Sequence, residues 1–207
     1  MKLKFNNFIL IFVFCFSFNN AYSQLDTTFW FAAPDLQGDQ PGGAHGDRPI
    51  YLRLAASKQL ANVYISLPAN PSFPKIAVQV IANSSISVDL TAYINLIENG
   101  TVNTVTQKGL LIQSDAPISC YYDIANRVNG DMYALKGKNA LGKKFTVPFQ
   151  MDFANAIRWP TTNDFIIVAS EDNTTVTITS KKPLVGISAN QAHVIKLNKG
   201  ETYVCRG

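Results

Sequence analysis

The stretch from Asp164 to Thr179, DFIIVASEDNTTVTIT, limits the fold more than any other. An apolar run from Phe165 to Ala169 meets a polar knot, Ser170–Thr174, and Thr175-Val176-Thr177-Ile178-Thr179 then alternates strictly. Alternation with a period of two places Val176 and Ile178 on one face of a strand and the threonines on the other. β-Branched residues suit that half-buried setting, and Asp172-Asn173 is turn chemistry. The reading is a β-hairpin with one dry face, which needs a second sheet to cover it.

The same theme recurs along the chain. Strands are expected over Thr28–Ala32, Pro49–Leu54, Ala61–Leu67, Ile76–Ala82 with Ile86–Leu90 as a hairpin around Asn83-Ser84-Ser85, and Thr101–Thr106. They continue over Gly109–Gln113, Ile118–Ile124, Met132–Leu135, Lys143–Phe149, Ala192–Leu197 and Thr202–Cys205. Asn99-Gly100 and Asn129-Gly130 read as tight-turn dipeptides, and Ser114–Pro117 as a turn. Only Thr91–Glu98 has room for a helical turn or two, with Ile94 and Ile97 facing inward. Many short, evenly spaced strands predict an all-β fold. Asn62–Leu67 resembles Asp164–Ala169, and Ile86–Leu90 resembles His193–Leu197, at offsets of about 102 and 107 residues. The expected architecture is therefore two β-sandwich-like units in tandem, 24–128 and 129–207, the second incomplete.

The first residues carry their own signal. Met1-Lys2-Leu3-Lys4 is followed by an apolar run from Phe8 to Phe18, a polar break at Asn19-Asn20, and Ala21-Tyr22-Ser23. This order predicts a signal peptide over residues 1–23, cleaved before Gln24, and hence a secreted or cell-surface protein. The apolar run is shorter than the roughly 20 residues that span a bilayer, and no membrane span is expected in the mature chain. The formal charge of +4 falls closer to neutrality when Lys2 and Lys4 leave, which points away from nucleic acid and from an anionic membrane as partners. Cys15 leaves too. Cys120 and Cys205 remain, in a compartment that permits a disulfide; a buried small thiol is the other reading of Cys120.

Little chemistry is written in motifs. His45 and His193 are the two histidines, no Gly-x-Ser-x-Gly elbow occurs, and neither zinc spacing nor a phosphate loop is present. No catalytic residue and no organic cofactor are expected. The Gly-rich loop from Asp35 to Asp47 offers hard oxygen ligands in Asp35, Asp39 and Asp47, a candidate calcium site. It lacks EF-hand spacing, and a solvated loop with Asp47 paired to Arg48 or Arg53 is the competing account. Lys136, Lys138, Lys143 and Lys144 read as a solvated turn. Trp159, in a loop before Pro160, is the candidate for ligand contact, whereas Trp30 lies in an apolar run and is expected in the core.

Four segments carry a family likeness: Phe29–Pro34, His45–Ile50, Leu135–Gly142 and Glu171–Thr175. In that order they resemble the N-terminal domain of IgGFc-binding proteins in its bacterial, secreted, Bacteroidetes-type form. The resemblance implies a surface or secreted β-rich protein but transfers no antibody-binding motif. The expected function is a non-catalytic extracellular binding or adhesion module recognising a protein or glycan through loops on a rigid scaffold. The alternatives are a carbohydrate-binding module of a secreted enzyme and an architectural spacer in a long surface protein.

Overall fold

The computed structural model describes residues 24–36, 47–127, 130–148 and 162–207. The expected signal peptide, Asp39, His45 and Trp159 lie outside them. Among the described residues no helix is long and apolar enough to cross a membrane. The fold is all-β, as the alternation demanded.

One long strand organises the larger sheet. Strand β7 (Leu110–Ile124) is joined by β1 (Asp26–Phe31), β2 (Ile50–Ala56), β3 (Ala61–Ser66) and β8 (Asp131–Ala134). Its first half pairs β3 on one side, with Ile65 opposite Ile112, and β1 on the other, with Phe29 also opposite Ile112. Its second half pairs β2, with Leu54 opposite Cys120, and β8, with Tyr122 opposite Tyr133. Strand β4 (Ile76–Val80) extends the sheet beyond β3, and β5 (Ser85–Asp89) extends it beyond β2. The seven strands close most of the way round on themselves in a barrel-like sandwich.

The turn expected at Ser114–Pro117 is absent, and β7 runs straight through it. Pairing with β3 ends at Ser114 and pairing with β2 begins at Ile118. Pro117 therefore sits where the strand changes partners and needs no N–H for a ladder. Asp115 accepts hydrogen bonds from Asn62 N (2.8 Å) and Nδ2 (2.6 Å), which anchors the bend to β3.

Inside this sheet Phe29, Ile50, Leu52, Leu54, Ile65, Ile112, Ile118, Tyr122 and Ile124 are buried. The pattern in β2 alternates without fault, Ile50, Leu52, Leu54 and Ala56 inward and the residues between them half-exposed. At the start of the chain Phe29, not Trp30, is the core residue; Trp30 is half-buried because its neighbour takes the inward face. Helical turns at Thr91–Tyr93 and Ile94–Ile97 close one end, with Ile94 and Ile97 buried as expected.

A second, smaller core is built from β9 (Asp164–Val168), β10 (Thr174–Thr179), β11 (Ala192–Leu197) and β12 (Thr202–Arg206). Strand β12 is the centre of a three-stranded sheet between β9 and β6 (Val105–Thr106), while β10 and β11 form a separate pair. Two expected hairpins fail here for one reason. Strand β9 pairs β12 while β10 pairs β11, and likewise β4 pairs β3 while β5 pairs β2. The turn between β4 and β5 carries the chain from one end of the large sheet's strand order to the other, and the turn between β9 and β10 carries it from the three-stranded sheet to the separate pair. Asn83 and Asn173 take left-handed backbone at those turns (φ 55° each), a conformation asparagine tolerates.

Three further readings change. Thr101–Thr106 contributes only β6 and a bridge from Val102 to Val204. Of the strand expected over Lys143–Phe149, the described residues 143–148 form none and are exposed throughout. Cys120 and Cys205 are both free thiols, each buried in a different core, so the bridge that the sequence allowed is not made. Burial raises both, Cys205 to about 11, which keeps them protonated and unreactive.

Candidate functional site

The acidic loop does meet other carboxylates. Asp35 follows β1, Asp47 precedes β2, and Glu98 ends the helical turn at Ile94–Ile97. Oxygen atoms of these three side chains all lie within 4.8 Å of one another. Asp35 is exposed, the Asp47 side chain is 13% exposed, and Glu98 is 5% exposed. Sequence reasoning found Asp35 and Asp47. Asp39 lies outside the described residues, and Glu98 was missed because it reads as an ordinary helix-end acid. The signal that could have found it is its neighbour, since Asn99-Gly100 fixes the backbone beside Asp35.

Asn99 is not in a tight hairpin turn. It bridges to Pro34 in parallel, its backbone N–H donating to Ala33 O at 2.9 Å. Its side-chain Nδ2 donates to Ala33 O (3.0 Å) and Ile97 O (3.1 Å). Gly100 is required at the next position because a Cβ there would collide with the Asp35 carboxylate. The segments before β2, after β1 and after the helical turn are thus stitched together, and the carboxylates are held at their crossing.

The electrostatics follow from that crowding. Burial raises Glu98 to about 9, helped by its hydrogen bond with Asp47 and by that group's charge. Burial also raises Asp35, with the Asp47 charge next in importance. Without a cation, Glu98 is protonated at neutral pH and shares its proton within the cluster. Tyr122 Oη donates to Glu98 Oε1 at 3.2 Å, and burial holds that phenol above its usual range. Phe31 and Tyr133 flank Tyr122, with ring centroids 5.1 Å and 6.5 Å away. Lys108 Nζ donates to Glu98 O at 2.5 Å, and its charge opposes the upward shift of Asp35.

The other candidates are placed differently. Arg48 Nε approaches Asp47 Oδ1 at 3.6 Å, while Arg53 turns away and binds Asp123 through Nε (2.8 Å) and Nη2 (2.7 Å). Tyr122 is fully buried in the larger core. His193 is not a free surface imidazole: its Nε2 lies 3.0 Å from Tyr203 Oη.

Hard oxygen donors of this number suit Ca²⁺ as part of a larger set, since calcium takes six to eight oxygens including carbonyls and water. The same donors suit a shared proton between crowded acids.

No curated protein and no solved structure gives a significant match to the chain. A family model described as IgGFc binding protein matches residues 131–206, from β8 to the end of β12. Two of the four segments that carried the resemblance, Leu135–Gly142 and Glu171–Thr175, fall inside that stretch, whereas Asp35, Asp47 and Glu98 fall outside it. The family model that matches residues 131–206 is therefore the one whose likeness was read from the sequence, that of the IgGFc binding protein.

Proposed function

We propose that the chain is a non-catalytic extracellular binding module that recognises a protein or glycan through loops on its sheet scaffold. The observation that carries this reading is the family match over 131–206. The rigid core supports it, because β7 holds strands on both sides and leaves loops as the variable surface. Export through residues 1–23 and ligand contact through Trp159 belong to the same reading.

Within this module Asp35, Asp47 and Glu98 are the proposed calcium ligands. Calcium there would tie the segment after β1 to those before β2 and before β6, which is a structural role. Isothermal titration of the full chain with Ca²⁺, with Glu98→Gln as control, tests it. Saturable binding lost in the variant supports the site, and absence of heat above pH 9 removes it.

The binding function itself is tested by presenting the immobilised chain to antibody Fc and to a glycan array, with Trp159→Ala alongside. A saturable Fc signal makes antibody the partner; a defined sugar signal lost in the variant favours the carbohydrate module. Turnover of any substrate, abolished by one Asp or Glu change, overturns the reading.

A further inference from the structure

The segment after β8 is an exposed arm with an unusual composition. The 3-10 turn Gly137–Ala140 leads into residues 141–148, all of them exposed. Leu141 is 47% exposed, Phe145 68% and Val147 49%, three large apolar side chains within seven residues. The Phe145 ring folds back over Gly142, where a Cβ would sit 3.1 Å from Cζ. Elsewhere among the described residues Leu60 and Ile81 flank the Ala61–Val80 pair, and Tyr64 is covered by Lys75, whose Nζ lies 4.7 Å from the ring centroid.

The charge on this arm has one sign. Lys136, Lys138, Lys143 and Lys144 lie on it, and from Leu135 to Met151 there is no acidic residue. Lys138 is engaged, 3.9 Å from Asp26 Oδ1, while no ion pair is made by Lys136, Lys143 or Lys144 among the described residues. The chain as a whole is only slightly basic, so this is a local concentration of charge.

Ammonium groups beside protruding Phe, Leu and Val side chains form a surface with two requirements. The lysines call for phosphates or carboxylates, and the apolar groups call for a medium other than water. A polar acidic sugar or a flexible acidic peptide answers only the first. An anionic bilayer answers both, with headgroup phosphates at the level of the lysines and the acyl boundary just below.

We propose that residues 136–147 are a peripheral contact for a membrane surface containing anionic phospholipid. Contact through one short arm is reversible, because three free lysines and three shallow apolar side chains supply far less than a spanning helix. The arm would set the orientation of the binding module on a lipid surface; it would not anchor it permanently.

The test is co-sedimentation of the full chain with vesicles made of equal parts phosphatidylglycerol and phosphatidylcholine, against phosphatidylcholine alone. Binding to the anionic vesicles only, weakened by salt, is expected. Lys143→Gln with Lys144→Gln is expected to weaken it about 30-fold, from roughly fivefold per lysine. Phe145→Ser is expected to weaken it about tenfold. All these positions are exposed, so the variants should fold, and an unchanged far-ultraviolet spectrum checks this. Equal binding to both vesicle types, or variants that bind like the parent, overturns the proposal. So does capture by polyglutamate beads with no vesicle binding, which would assign the arm to an acidic polypeptide.

Discussion

At the scale of single residues the chain places an acid where water cannot reach it. Glu98 is raised to about 9 by burial first and by Asp47 second, while in the unfolded chain it titrates near 4.5. Between those values the folded chain holds a proton that the unfolded chain has lost. The stabilising effect of that proton is complete below about pH 4.5 and is lost as pH rises toward 9. The slope is at most about 1.4 kcal/mol per pH unit for one group, and Asp35, raised for the same reason, adds in the same direction. Thermal unfolding in chelator should therefore show falling stability across this window. Glu98→Gln, which keeps the shape and removes the titration, should flatten the curve and raise stability at its alkaline end. A profile identical in parent and variant would show that Glu98 is not the titrating group.

Gly100 makes a second prediction at this scale. Its missing side chain leaves the space that the Asp35 carboxylate fills. Gly100→Ala must push Asp35 aside, at a cost of about 1–3 kcal/mol as for other overpacked sites, and should weaken any calcium binding along with it. Denaturant unfolding measures the first effect and calorimetric titration the second. Asp35 and Asp47 could be named from sequence as oxygen donors in a loop. Glu98 could not, because nothing local to Leu96-Ile97-Glu98-Asn99 says that the chain crosses Pro34 there. The contact is made by Asn99 and Gly100, whose adjacent letters also spell a common hairpin turn.

At the scale of elements, strand existence was legible and strand partnership was not. Ile50-Tyr51-Leu52-Arg53-Leu54 and Thr175-Val176-Thr177-Ile178 announce strands through their alternation, and both are strands. Alternation says which face is dry, but it is silent about which strand lies alongside. Asn83 and Asn173 supply the left-handed residue that a tight turn uses, and that residue serves equally when the chain passes on to a strand with a different partner. Ser114–Pro117 misled for the converse reason: β7 changes partners at its proline, beside an aspartate held by Asn62, without ending. The pairing can be checked by cross-linking. Val176 lies opposite Ile195, so Val176→Cys with Ile195→Cys should oxidise to a disulfide, at a separation within the range such bonds need. Ile167→Cys with Val176→Cys, the pair that a β9–β10 hairpin would bring together, should remain reduced. Cys205 shares its core with these positions, so both pairs are made in a Cys205→Ala background; Cys120 lies in the other core.

At the scale of the whole molecule, the two cores are joined by polar contacts. Thr202 in β12 is fully buried and its Oγ1 donates to Asn99 Oδ1 at 2.6 Å. Thr106 Oγ1 stands 2.7 Å from Thr202 Oγ1, and Gly109 N donates to Gly200 O at 3.0 Å. Strand β6, which comes from the stretch leading into β7, pairs with β12, so the smaller sheet is completed by the chain of the larger one. Asn99 thus faces both ways, holding Ala33 beside the carboxylates and Thr202 in the second core. Thr202→Val keeps the shape but removes the 2.6 Å donor to Asn99 Oδ1, which is left with Thr106 Oγ1 at 3.3 Å. The expected cost is about 0.5–1.5 kcal/mol. Because that oxygen lies between the cores, the loss should also separate their unfolding. In the parent, near-ultraviolet and far-ultraviolet signals should fall together on heating; in the variant, amide exchange in β9–β12 should quicken before that in β7 does. If exchange quickens equally in both cores, Asn99–Thr202 contributes stability without coupling them, and the joint must be assigned to the β6–β12 pairing.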